Sequence, residues 1–321
     1  MEIRPELAEL IQKLEERYKA SGQDIVAYLE GLLYAEYVNY WDYIRLDTLL
    51  TLQNPRTSIP DEKIFIIYHQ ITELYFKLCL NELEEIGKQQ PPDVTFMTER
   101  IRRINSYFEN LTHSFDIMVM GMEHDQFLKF RMSLLPASGF QSAQYRMIEI
   151  CSTDLIRLVA KDKRHLYNEN SKMDEMFEHV YWKEGATVLE SGSKTLTLKQ
   201  FEEKYTEDLV KLADEYKFRN LWQKYMQLNE SDRKDPALLQ QLKRLDVNVN
   251  INWPLMHYKS AARYLQRKPD DIPATGGTNW QKYLPPRFQK RIFFPAIWNE
   301  TEVEEWGKGW VEHVVNEAKG K

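Results

Sequence analysis

Cysteine is nearly absent from this chain: two in 321 residues, Cys79 and Cys151. A fold stapled by disulfides is thereby excluded. Both thiols fall inside apolar helical patterns, so they read as buried and reduced, as in a cytosolic protein. Glycine and proline are sparse too, at 12 and 13. That argues against a turn-rich β architecture, and the abundance of Leu, Glu, Lys, Gln and Tyr favours helix. Positive charge is not in excess. A net charge of −6 disfavours a nucleic-acid partner, which would call for a basic stripe. No apolar run approaches the length of a membrane span, and the opening MEIRPELAELIQKLEE lacks the apolar centre of a signal peptide. A soluble, cytoplasmic protein with no membrane partner is expected.

What is present is apolar residues, 43% of the chain, recurring at helical spacing. The expected fold class is all-α: a mostly helical domain with a helical insertion. Residues 1–160 form the N-terminal helical part, 161–245 a polar insertion, and 246–321 a helix, a loop and a C-terminal tail. The helix after NPRTSIPDE carries Ile64, Ile67, Ile71, Leu74 and Leu78 at three- and four-residue spacing, which reads as its core face. EGATVLESGSKT (184–195) reads as a loop or short hairpin.

Three segments carry groups with chemistry. In FIIYHQITELYFK (65–77), Phe65, His69, Thr72 and Phe76 share one helical stripe, which sets an imidazole beside rings able to stack on a flat molecule. An ordinary core stripe would look the same. In FLKFRMSLLPASGFQSAQYR (127–146), Arg131 follows Phe127 by one turn and precedes the small residues Ser138 and Gly139. Its planar fork suits a carboxylate, although most arginines simply face water. In WPLMHY…TGGT (253–278), His257 lies one turn after Trp253. A single histidine on an apolar helix is most often a hydrogen-bonded core residue, and a bare Thr275-Gly276-Gly277 is most often a loop. His113, His124, His165, His179 and His313 stand in mixed polar contexts, and no spacing suggests a zinc site.

Taken together and in this order, the three segments resemble the haem-dependent tryptophan 2,3-dioxygenases. The resemblance covers about residues 34–150 and 250–295. It implies haem b, with His257 as the axial iron ligand, Trp253 beside it, and Ser138 and Gly139 at the distal face, where dioxygen needs space. It implies that His69 is the catalytic residue and hydrogen-bonds the indole N–H, that Phe65 packs on the indole, that Phe127 lines the pocket, and that Arg131 grips the substrate carboxylate. Thr275 would contact the amino-acid end. Tyr40, Tyr43 and Ile44 fit a segment that reaches into a neighbouring subunit's pocket, in a homotetramer built as a dimer of dimers. The implied reaction inserts both atoms of dioxygen across the indole C2–C3 bond of L-tryptophan, giving N-formylkynurenine. There are departures: Tyr75 stands where a Trp is commoner, and Pro254 where an Arg usually follows the Trp. Lys259 and Arg263 are the cations that the same helix offers in place of that Arg. Two rival readings remain on the same scaffold: a haem monooxygenase of an aromatic metabolite, and a non-catalytic haem or tryptophan sensor.

Overall fold

The computed structural model describes residues 4–35, 38–168, 170–187, 192–266, 284 and 290–307. Its elements are almost all helical. Among the described residues the only β pairing is two isolated bridges, Val159 with Val180 and Thr187 with Lys194. The second pairs two residues within 184–195, the segment read from sequence as a loop or short hairpin. No described helix is long and apolar enough to cross a membrane.

The chain divides into two compact units, Met1–Gln53 and Asn54–Lys321. In the first, α1 (Pro5–Ala20) and α2 (Ile25–Leu33) are followed by the single turns α3 (Tyr40–Tyr43) and α4 (Leu46–Leu49). Asp24 caps α2 by accepting from the Val26 N–H at 2.9 Å. Much of this unit's apolar surface is exposed, including Leu33, Tyr34, Tyr40 and Tyr43.

The second unit is organised on α5 (Asp61–Lys88), which packs against α6 (Val94–Ser114) and, beyond the single turn α7 (Asp116–Val119) and α8 (His124–Phe130), against α9 (Ala143–Ser152). On α6 the fully buried Met97, Ile101, Ile104, Phe108 and Leu111 recur at helical spacing. Short helices follow: α10 (Leu155–Leu158), α11 (Met173–Phe177) and α12 (Tyr181–Gly185). Next come α13 (Leu196–Tyr216), α14 (Leu221–Gln227) and α15 (Glu230–Arg233). Finally α16 (Pro236–Val247) runs through a π turn, Asn248–Asn252, into α17 (Trp253–Leu265).

The face of α5 is a correction to the sequence reading. Tyr68, Thr72, Phe76, Cys79, Leu83 and Ile86 are buried, whereas Ile67, Ile71, Leu74 and Leu78 are 37–54% exposed. The helix carries two apolar stripes, and the one bearing the large rings packs inward. Each such ring removes more apolar area from water than an isoleucine, and complete burial of a large side chain is worth roughly 1.5–3 kcal/mol.

The passage from α16 to α17 is anchored by a buried carboxylate. Asp246 is fully buried and accepts from the Asn250 side chain at 2.7 Å, the Phe293 N–H at 3.0 Å, the Phe294 N–H at 3.2 Å and the Trp298 indole N–H at 3.0 Å. Burial pushes its carboxyl up to about 6, against the pull of those donors. The segment 293–298 is thereby tied to the root of α17. Asp246→Asn would turn an amide N–H₂ towards N–H groups that need an acceptor, so a loss of about 3 kcal/mol or more is expected. Thermal and urea unfolding measure it, and an unchanged midpoint would refute the anchoring role.

Candidate functional site

Four elements of the second unit converge. α5 brings Phe65 and His69; α8 and the 3-10 turn after it bring Phe127, Phe130 and Arg131; α7 and its N-terminal flank bring Phe115; α17 brings Trp253, His257 and Tyr264. The rings form a continuous set. Phe65 and His69 have centroids 4.1 Å apart, Phe65 and Phe130 are 5.8 Å apart, and Phe127 lies 6.4 Å from Phe65 and 4.5 Å from Tyr264. On the other side, His257 lies 4.6 Å from Trp253 and 4.7 Å from Phe115. Tyr68 joins the two sides, with its ring 6.5 Å from His69 and 5.7 Å from Phe115.

The two imidazoles are held alike. His69 Nδ1 lies 2.7 Å from the Phe65 carbonyl, and His257 Nδ1 lies 3.0 Å from the Trp253 carbonyl, in each case four residues back on the same helix. A carbonyl only accepts, so Nδ1 carries the proton and Nε2 keeps its lone pair. Both rings are neutral at ordinary pH. Burial lowers His69, and His257 is lowered to about 4 by burial, against the pull of the Trp253 carbonyl, with His69 and Arg146 adding to the lowering. Both nevertheless keep part of their surface accessible, so each is lodged deep in the protein without being packed over. No group of three metal-ligating side chains occurs among the described residues. A neutral imidazole fixed on a helix with Nε2 available is the donor that a haem iron takes.

Arg131 is buried, 4% exposed, and burial alone lowers its pKa without discharging it. Ser138 and Gly139 sit on a turn closed reciprocally: the Ser138 hydroxyl accepts from the Phe140 N–H, and the Gln141 side chain accepts from the Ser138 N–H, both at 3.3 Å. The Ser138 N–H is thus occupied within the turn. A methyl group at Gly139 would meet only open space, so the protein itself does not demand a glycine there. Thr197 pins the turn by donating to the Pro136 carbonyl at 2.9 Å. Tyr40, Tyr43 and Ile44 belong to the first unit and are 70%, 79% and 37% exposed. Thr275 lies outside the described residues. Of the two cations offered in place of the family's Arg, Arg263 lies over the Tyr264 ring, 5.6 Å from its centroid.

One buried cluster has no counterpart in the sequence reading. Glu149, fully buried, receives Arg146 at 2.9 Å, Arg291 at 2.5 Å and the Tyr181 hydroxyl at 2.6 Å. Arg146 lies over the Trp182 and Tyr145 rings at 4.9 and 5.2 Å, and its charge reaches His257. The i, i+3 spacing of Arg146 and Glu149 on α9 was the available signal, whereas Arg291 stands 142 residues away from Glu149.

The chain is similar to known proteins along most of its length. A profile of the family described as tryptophan 2,3-dioxygenase matches residues 31–268. The tryptophan 2,3-dioxygenase of Bacillus thuringiensis subsp. konkukian (strain 97-27) is 30% identical over 282 residues, covering 83% of this chain and 92% of its own. That of Polaromonas naphthalenivorans (strain CJ2) is 28% identical over 273 residues, 81% of this chain and 90% of its own. That of Ruegeria sp. (strain TM1040) is 38% identical over 148 residues, 46% of this chain and 48% of its own.

The burial of His257 has a consequence for pH. Its folded value lies below the unfolded one, so protons bind the unfolded chain first. The stability it contributes is complete above the ordinary value of 6.5 and is lost as pH falls towards about 4. Between pH 7 and pH 5 the apoprotein should lose about 2 kcal/mol through this group, and His257→Asn should remove that part of the slope. Urea unfolding at the two pH values tests this, and equal slopes in both proteins would refute it.

Proposed function

Because the chain belongs to the tryptophan 2,3-dioxygenase family, we propose that it holds haem b through His257 and inserts both atoms of dioxygen across the indole C2–C3 bond of L-tryptophan, giving N-formylkynurenine. The observation that supports this reading is the pair of neutral imidazoles on α5 and α17, each with Nδ1 held by a carbonyl of its own helix, together with the aromatic rings packed around them. Haem supplies the reactivity towards dioxygen.

The protein's own part is to bind, orient and exclude water. His257 presents Nε2 from α17, with its ring held by the Trp253 carbonyl and flanked by Trp253 and Phe115. Arg131 receives the substrate carboxylate on its fork, a contact worth most where water is excluded. Phe65 and Phe127 pack against the indole faces. His69 Nε2 accepts the indole N–H, which fixes the rotation of the ring about its long axis and so the position of C2 and C3. Full proton removal by an imidazole this weak would be uphill by many pK units, so His69 serves as an orienting acceptor and not as a base. Ser138 and Gly139, small side chains with open space around Gly139, would leave room for dioxygen beside the bound haem. Thr275 is proposed at the amino-acid end. Both oxygen atoms end in the product, so no net reductant is consumed.

The exposed rings of Tyr40 and Tyr43, with Ile44, and the exposed stripe Ile67, Ile71, Leu74 and Leu78 on α5 support assembly as a homotetramer in which the N-terminal unit of one copy serves a neighbour, because apolar surface on this scale is seldom left in water. The two free, buried cysteines fit a reducing compartment such as the cytoplasm.

Turnover of L-tryptophan under isotopically labelled dioxygen tests the reaction: two labelled atoms in the product are expected, and one would favour a monooxygenase on the same scaffold. Tryptamine, which lacks the carboxylate, should turn over far more slowly, and equal rates would remove Arg131 from its proposed role. Light scattering should find a tetramer, and a fully active monomer would refute the shared site.

A further inference from the structure

The segment that carries Phe127 and Arg131 is aimed by the turn before it. Gly121 allows that turn to close: a methyl group there would stand 2.6 Å from the Ile117 carbonyl oxygen, a backbone atom that cannot move aside. Two ties then hold it. From α17, the Tyr264 hydroxyl is shared between the carbonyls of Val119 at 3.3 Å and Met122 at 3.2 Å. From the first turn of α5, the Asp61 carboxylate accepts the Glu123 N–H at 2.6 Å, and the Gln126 side chain accepts from the Asp61 N–H at 3.4 Å. Tyr264 is 2% exposed, and its ring also packs on Phe127 at 4.5 Å.

These contacts come from the two helices that bear the imidazoles. Tyr264 stands seven residues after His257 on α17, and Asp61 stands eight before His69 on α5. The turn at 119–123, from which α8 starts, is therefore tied to both histidine-bearing helices at once. Arg131 is placed at the far end of that short lever.

We propose that Tyr264 is a positioning residue that sets, through the 119–123 turn, where Phe127 and Arg131 stand relative to His69 and His257, and so governs recognition of the substrate's carboxylate. This rests on the reading above in which Arg131 receives that group. Its effect passes through the turn, by way of the Val119 and Met122 carbonyls, and through the Phe127 ring.

The test uses the haem-loaded protein and Tyr264→Phe, which keeps the ring on Phe127 and deletes only the hydroxyl. Optical titration with L-tryptophan and with tryptamine separates positioning from general damage. The variant should bind tryptophan about tenfold more weakly, the scale of one lost hydrogen bond acting on a charged contact. Its affinity for tryptamine, which keeps the indole contact with Phe127 but has no carboxylate, should fall clearly less, and its ferric spectrum should stay unchanged. An equal loss for both ligands, or no loss for either, overturns the proposal. Amide hydrogen exchange gives a readout that needs no ligand: the amides of 123–131 should exchange faster in Tyr264→Phe while those of α5 stay protected. Unchanged exchange at 123–131 overturns the clamp. A parent protein that shows no response to tryptophan would instead defeat the proposed function, with the exchange result still deciding the clamp.

Discussion

An imidazole whose Nδ1 proton is spent on the carbonyl one turn back on its own helix has a single nitrogen left to offer, and its direction is that of the helix. His69 and His257 are both held in this way. Their chemistry therefore reduces to the placement of two helices, α5 and α17. That placement is set by packing, because Phe76 of α5 meets Trp253 edge-on at 5.7 Å, and Tyr68 meets Phe115, which in turn touches both Trp253 and His257. Interiors packed at this density do not slide continuously. A shift of one helix would have to disturb every ring in the series.

Charge is buried around the site at a cost that hydrogen bonds must offset. Glu149 between Arg146 and Arg291, and Asp246 beneath the 293–298 segment, are both removed from water. Each carboxylate is met by several donors, so removing one partner would leave an uncompensated charge and be strongly destabilising. Both clusters join distant parts of the chain, α9 to residue 291 and α16 to residues 293–298. They act as geometric ties, holding the C-terminal segment against the helices that carry the site.

Much of this arrangement is legible in the sequence because it is local. Phe65 to His69, Phe127 to Arg131 and Trp253 to His257 are each four residues apart, and helical spacing alone sets the members of each pair one turn apart. The inward face of α5 was not legible. Ile67, Ile71, Leu74 and Leu78 follow helical periodicity as faithfully as Tyr68, Thr72, Phe76 and Cys79, and only the partner helices decide which stripe is covered. Tyr264 and Asp61 were missed for a related reason: each acts on a turn far away in sequence, through a hydroxyl or a carboxylate that looks ordinary in its own helix. The Arg146–Glu149 pair was visible, but its meaning depends on Arg291.

The departure at Pro254 also has a structural answer. A proline inside a helix lacks the N–H that would reach the carbonyl four residues back, and its ring collides with that carbonyl. Here the turn immediately before it widens to a π turn, in which the Trp253 N–H donates to the Asn248 carbonyl, five residues back. The extra residue absorbs the proline without ending the helix. It also rotates everything downstream by about 100° relative to an uninterrupted α-helix. His257 lies three residues beyond that proline. The direction in which its ring leaves α17, towards Phe115, therefore depends on the widened turn. The asparagines of that turn are bonded to match, Asn248 and Asn250 from buried positions: Asn248 donates to Asn105 at 3.1 Å, Asn252 donates to Asn248 at 2.9 Å, and Asn250 donates to Asp246. Pro254 and the widened turn at 248–252 are two parts of one local solution, and the imidazole is aimed by it.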